Sequence, residues 1–139
     1  MAKSGPIIII EDDVDDQELL HDILRELKVP NLVKFFNSCV NALDYLVTAI
    51  EKPFLIISDI NLPAMTGLEL CRKITDNESL KVKSIPFIFL TTASDQRLIK
   101  EAYAMYVQGF FVKPTSLQEL KAMIKMIIDY WSVSQHPFI

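Results

Sequence analysis

Pro53-Phe54-Leu55-Ile56-Ile57-Ser58-Asp59-Ile60-Asn61-Leu62-Pro63-Ala64-Met65-Thr66-Gly67-Leu68-Glu69-Leu70 is the stretch whose reading decides the fold. It opens as an apolar run, Phe54 to Ile57, with the length and residue type of a strand buried on both faces. The run ends at an acid, Asp59. Pro63 and Gly67 then punctuate a loop, and a helical pattern follows. A carboxylate at the carboxyl end of a buried strand lies where open α/β sheets place their chemistry. A second junction of this kind lies upstream, Ile7-Ile8-Ile9-Ile10-Glu11-Asp12-Asp13. If the two strands are neighbours in a parallel sheet, Glu11, Asp12 and Asp59 converge. At 4 Å, two like charges repel by roughly 4 kcal/mol at an effective dielectric of about 20. Such a cluster calls for a proton or a divalent cation, and its hard oxygen donors suit Mg²⁺.

Outward from these junctions the chain alternates. Strands are predicted at Ile7 to Ile10, Leu32 to Phe36, Phe54 to Ser58, Phe87 to Leu90 and Phe110 to Val112. The first helix opens on Asp13, Asp15 and Asp16, read as charge favouring a helix N-terminus at about 0.3–1 kcal/mol each. Its buried face is Leu19, Leu20, Ile23, Leu24 and Leu27, and Pro30 closes it. Asn37 or Ser38 caps the second helix, with Leu43, Leu46, Val47 and Ile50 inward. Leu70, Cys71 and Ile74 face inward on the third, which ends near Asn77. Glu78 to Ile85 reads as a polar loop in which Lys81 and Lys83 are solvated. Ser94 or Asp95 caps the fourth helix, with Leu98, Ile99, Ala102 and Tyr103 inward. Ser116 caps the last, whose stripe is Leu117, Leu120, Ile124, Ile127, Ile128 and Trp131. Five strands alternating with five helices predict a doubly wound, five-stranded parallel sheet covered on both faces.

The bulk composition agrees. At 139 residues the chain is one domain's length, with a core over 6–131 and a tail at 132–139, and half its residues are hydrophobic. A net charge of −4 without a basic patch argues against nucleic acid as partner. No apolar run approaches the roughly 20 residues of a membrane span, and no signal-peptide core follows Met1. A cytoplasmic protein is the expectation. Cys39 and Cys71 lack metal-ligand spacing and read as reduced core residues. His21 and His136 read as surface residues. Met123, Met126 and Tyr130 lie a quarter-turn from the stripe of the last helix, and read equally as ordinary partial exposure and as a homodimer or partner face.

The predicted strand ends carry Glu11 and Asp12, Asp59, Thr91 and Thr92, and Lys113 on one rim. Acids that bind a cation, an ammonium and a hydroxyl together stabilise a transferring phosphoryl group. Asp59 can itself be the nucleophile, giving an aspartyl phosphate. No phosphate-binding glycine loop is present, so a nucleotide is not the obvious ligand.

Taken in order, these features resemble the receiver domain of two-component response regulators over nearly the whole chain. The acidic pair follows strand one. Asp59 follows strand three, with Pro63 four and Gly67 eight residues on. Thr92-Ala93 follows strand four, and Lys113-Pro114 follows strand five. The resemblance is to chemotaxis-type and phytochrome-associated receivers that stand alone. It implies a flavodoxin-like fold with strand order 2-1-3-4-5. It implies that Asp59 accepts phosphate from a histidine kinase or a histidine phosphotransfer protein, in a phosphoacceptor rather than an enzyme acting on outside substrates. Asp12, Asp59 and the main-chain carbonyl of Asn61 would bind Mg²⁺, with Glu11 acting through a water. Lys113 would contact the phosphoryl group, Thr92 and Phe110 would be the switch pair, and the peptide before Pro114 would be cis. Signal would leave by helix four, strand five and helix five toward a downstream protein. Tyr106 departs from the pattern by standing where receivers usually have glycine, and the Thr92–Lys113 interval is one residue shorter than in many. Two other readings compete. One is a phosphorylation-independent binding module, which the intact acid, Asp, Thr and Lys set disfavours. The other is an Mg²⁺-dependent phosphatase, disfavoured by Asn61 where a second acid is wanted.

Overall fold

The computed structural model describes residues 4–93 and 95–135. Its strands are β1 (Ile7–Ile10), β2 (Val33–Phe36), β3 (Leu55–Ser58), β4 (Phe87–Thr91) and β5 (Gly109–Val112). Its helices are α1 (Val14–Glu26), α2 (Cys39–Thr48), α3 (Gly67–Asp76), α4 (Glu78–Lys83), α5 (Gln96–Ala104) and α6 (Leu117–Val133). All neighbouring strands are parallel, in the order β2-β1-β3-β4-β5. The expected doubly wound sheet is present, with a sixth helix added.

The isoleucine run of β1 is apolar at every position because helices cover both sheet faces. Ile8 and Ile10 pack with Ile56, Phe87 and Phe89 beneath α2, α3 and α5. Ile7 and Ile9 pack with Leu55, Ile57, Ile88 and Leu90 beneath α1 and α6. Each fully buried aliphatic side chain contributes roughly 1.5–3 kcal/mol, against the roughly 0.3–1 kcal/mol of a charge at a helix end. The central strands therefore fix the frame, and the polar rim is built on it.

Helix starts follow their caps. Asp13, Ser38, Thr66, Asp95 and Ser116 each accept a backbone N–H from the first turn of the helix they precede. Thr66 and Glu69 complete a reciprocal capping box on α3. Asp95 thus takes the role left open between it and Ser94, which lies outside the described residues, as does His136.

The segment expected as a polar loop after α3 is the short helix α4. Asn77 closes α3 and at once caps α4, its side chain accepting from Leu80 N–H. Leu80 is buried, which anchors the turn against the core. Inward faces also differ from expectation. On α2 the buried positions are Cys39, Ala42 and Leu46, while Val47 is 51% and Ile50 100% exposed. Two small residues let α2 lie close to the sheet, which turns Val47 outward. Leu117 on α6 and Tyr103 on α5 are likewise exposed.

Tyr106 adopts φ 63°, the left-handed conformation in which glycine is favoured. It closes the end of α5: Tyr106 N–H donates to Tyr103 O at 3.0 Å and Val107 N–H to Ala102 O at 3.4 Å. The Gln108 side chain ties this turn to β4, accepting from Phe87 N–H and donating to Tyr106 O. The tyrosine ring is 81% exposed, so it gains little burial in return for the strain. Tyr106→Gly should stabilise the fold by about 1 kcal/mol. Urea unfolding of the two proteins would check this, with a raised midpoint and an unchanged slope expected.

Candidate functional site

The register levels the strand ends. Ile10 pairs with Ser58 and Thr91 with Val112, so Glu11 follows β1 beside Asp59, and Thr92 follows β4 beside Lys113. Asp59 N–H donates to Ile10 O, and Lys113 N–H to Thr91 O, extending the sheet into the rim. Side chains from β1, α1, β3 and β5 meet there.

Lys113 is the hub. Its Nζ lies 2.6 Å from Glu11 Oε1, 3.3 Å from Asp16 Oδ2 and 3.7 Å from Asp59 Oδ2. Glu11 is buried, and its second oxygen accepts from Asp13 N–H at 3.2 Å. Burial raises the Glu11 pKa, the Asp59 charge adds to the rise, and Lys113 opposes it. Burial works against the Lys113 ammonium, but Glu11, Asp59 and Asp16 outweigh it and its pKa lies above the ordinary value. The lysine is therefore held as a cation.

Asp59 is set by its own loop. Its Oδ1 accepts from Ile60 N–H at 2.7 Å. Gly67 begins α3 against this backbone. A Cβ at Gly67 would lie 2.4 Å from Asp59 O and 2.7 Å from the Phe89 ring, so only glycine permits the approach. Asn61 is exposed in the same loop.

The other expected positions are placed as follows. Asp12 is exposed beside Glu11. Thr91 is fully buried, and its Oγ1 accepts from Ala93 N–H, while Thr92 is exposed just beyond β4. Phe110 is half-buried on the α2, α3 and α5 side of the sheet, its ring centroid 6.0 Å from that of Phe89. The expected cis peptide before Pro114 is not found, because the described residues contain no cis bond. The trans isomer is the lower-energy default for an X–Pro bond, by about 0.5–1 kcal/mol. Both thiols are buried and unpaired, and burial pushes Cys39 up to about 12 and Cys71 up to about 11.

Two residues of the site were not foreseen. Asp16 was read as helix-end charge, yet it reaches Lys113. Its spacing carried the signal: the first turn of α1 follows directly from the acidic strand end, so an acid there can face the rim. Gln17 also joins, its Nε2 donating to Glu11 O.

With this geometry in hand, the chain can be set against known proteins. Residues 7–125 match the response regulator receiver domain. The chain belongs to that family. It is 31% identical over 123 residues to the chemotaxis protein CheY of Pseudomonas aeruginosa, covering 88% of this chain and 95% of that one. It is 27% identical over 130 residues to response regulator Rcp1 of Synechocystis, covering 90% and 87%. The crystal structure of the phosphorylated cyanobacterial phytochrome response regulator RcpA superposes with a TM-score of 0.86 at 28% identity, covering 95% of this chain and 97% of that one. The Mn²⁺-bound form of Rcp1 superposes at 0.83 with 25% identity, covering 95% and 98%. Receiver domains serve phosphorylation-based, two-component signalling, as phosphoacceptors that interact with histidine kinases and downstream effectors. Divalent-cation binding is typical of them.

The donor set of this receiver fits such a cation. Glu11, Asp12 and Asp59 are hard oxygen donors, and three carboxylates share one ammonium, which leaves excess negative charge. Among the described residues no three acidic, histidine or cysteine side chains are gathered so that they could hold a metal ion by themselves, so a cation here would need main-chain or water oxygens as well.

Removing the ammonium should expose what it does. Lys113→Met leaves the Glu11 charge buried and unpaired, a change expected to destabilise by about 3 kcal/mol at pH 7.5 without divalent cation. Glu11 gains a proton as pH falls through its raised pKa, so the deficit should shrink toward pH 5. Denaturant melts of both proteins across this range would show it; a pH-independent deficit would contradict the pairing.

Proposed function

We propose that Asp59 accepts a phosphoryl group from the phosphohistidine of a histidine kinase or a histidine phosphotransfer protein, and that this biases the surface of α5, β5 and α6 toward a downstream partner. The observation that carries the reading is the state of Asp59. Its Oδ1 is oriented by the Ile60 N–H, while its Oδ2 stands 3.7 Å from the Lys113 ammonium, beyond hydrogen-bond length. One oxygen is held and the other is free to attack.

In the transfer, Asp59 Oδ2 forms a bond to phosphorus as the phosphorus–nitrogen bond to the donor imidazole breaks, and the electron pair leaves with that nitrogen. Lys113 neutralises charge on the phosphoryl oxygens, and Thr92 donates a hydrogen bond to one of them. Asp12, Asp59 and the Asn61 carbonyl would hold Mg²⁺, with Glu11 reaching it through water. The cation, when bound, supplies further positive charge to the transferring group. The protein acts as a phosphoacceptor and assists only its own phosphorylation and dephosphorylation.

Thr92 and Phe110 are the proposed switch pair. Phe110 packs on the core side facing α5, and the proposed output face carries exposed apolar groups at Tyr103, Tyr106, Val112, Met126 and Tyr130. A second copy of the chain is one partner that such a face could take. No described helix is long and apolar enough to cross a membrane; the cytoplasmic setting is proposed from the two-component reading alone.

Incubation with acetyl phosphate and Mg²⁺, followed by intact mass, tests the chemistry. One added phosphoryl group is expected, and it should be absent for Asp59→Asn and without Mg²⁺. No adduct on rapid quenching would overturn the reading in favour of a phosphorylation-independent binding module.

A further inference from the structure

We infer that Asp16 is a positioning residue, which holds the Lys113 ammonium short of Asp59 and competes with the phosphoryl group for it. The inference rests on the phosphoacceptor reading of Asp59. Its basis is the unequal sharing of one ammonium. Lys113 Nζ stands 2.6 Å from Glu11, 3.3 Å from Asp16 and 3.7 Å from Asp59. An ammonium has three protons to donate. Glu11 and Asp16 take the two short contacts, and the contact to Asp59 is the longest.

The two short partners differ in what their release requires. The Glu11 side chain is 4% exposed, so losing the ammonium strands a buried charge. The Asp16 side chain is 40% exposed, so water can replace its partner. When a phosphoryl group on Asp59 draws the ammonium, Asp16 is the contact that yields. It lies in the first turn of α1, on an element separate from the strands that carry the other two acids. Before transfer it keeps Lys113 from closing on Asp59 Oδ2, which leaves that oxygen free. After transfer it pulls against the phosphoryl–lysine contact and shortens the life of the phosphorylated state.

Asp15 provides the control. It carries the same charge in the same turn and is exposed, and its backbone N–H donates to the Asp13 cap. The experiment measures the affinity of beryllofluoride, a non-covalent phosphoryl mimic, at saturating Mg²⁺, for the wild type, Asp16→Asn, Asp16→Glu and Asp15→Asn. Mg²⁺ affinity is measured separately by calorimetry. Asp16→Asn should bind the mimic about fivefold more tightly, and its aspartyl phosphate should hydrolyse correspondingly more slowly. Asp16→Glu should return toward wild type, and Asp15→Asn should change little. Equal gains for Asp15→Asn and Asp16→Asn would mean a general charge effect and overturn the assignment, as would unchanged or weaker binding by Asp16→Asn. If the wild type itself takes up neither beryllofluoride nor phosphoryl, the phosphoacceptor reading fails first and this inference falls with it.

Discussion

A single ammonium holds the rim of this receiver together. Three carboxylates from three elements would otherwise repel by roughly 4 kcal/mol per pair at 4 Å and moderate dielectric. Lys113 reaches all three from the end of β5. Its contact with Glu11 is the shortest, and Glu11 is the most deeply buried of them, where a carboxylate without a partner is destabilised in its charged form. The ends of β1, β3 and β5 and the start of α1 are thereby locked to one another. The lock is polar and open to exchange, whereas the sheet beneath it is apolar and fixed.

That division of labour comes from the parallel sheet. β1 and β3 are neighbours although α1, β2 and α2 lie between them in the chain. Their register sets Glu11 beside Asp59, since a one-residue slip would draw the Glu11 carboxylate into the apolar sheet or push Ile10 out to the rim. Gly67 adds a second constraint from below, because α3 touches the Asp59 backbone where no side chain would fit. The site is thus positioned by apolar packing and by one absent Cβ, and its charges are arranged afterwards.

The central strands β1, β3 and β4 were legible in the sequence because burial on both faces leaves an apolar run that ends at its polar rim residue, whereas the edge strands β2, with Lys34, and β5 are only partly buried. Some caps were legible too: Ser116, and Ser38 beside the alternative Asn37, each precede a helical pattern, whereas the Thr66 cap of α3 emerged only with the structure. What failed has physical causes. Six residues of α4 are too few to show a period, and only Asn77 and the buried Leu80 mark it. On α2 the core reading of Cys39 and Leu46 held, but Val47 and Ile50 were expected inward for their size, while the small Ala42 takes the position close to the sheet. Asp16 was assigned a local role because its partner is distant in sequence and contacts it only once the sheet has formed. The trans bond before Pro114 departs from the family-based expectation, and nothing in the local sequence distinguished the two isomers.

A change at Asp59 can move a distant surface only through a group whose interactions differ between the two states. Lys113 has that property: its partners are unequal, and one of them is half in water. It is also continuous with β5, whose Phe110 lies against Phe89 in the core and whose Val112 reaches the surface. β5 is an edge strand, paired with β4 alone, so it yields more readily than the strands at the centre of the sheet. The short link from a shared ammonium to an edge strand is where a local change of charge can act on packing. Its size is bounded by what Lys113 exchanges: each half-exposed ion pair is worth about 1 kcal/mol or less, so large shifts require the buried aromatic contact to change as well.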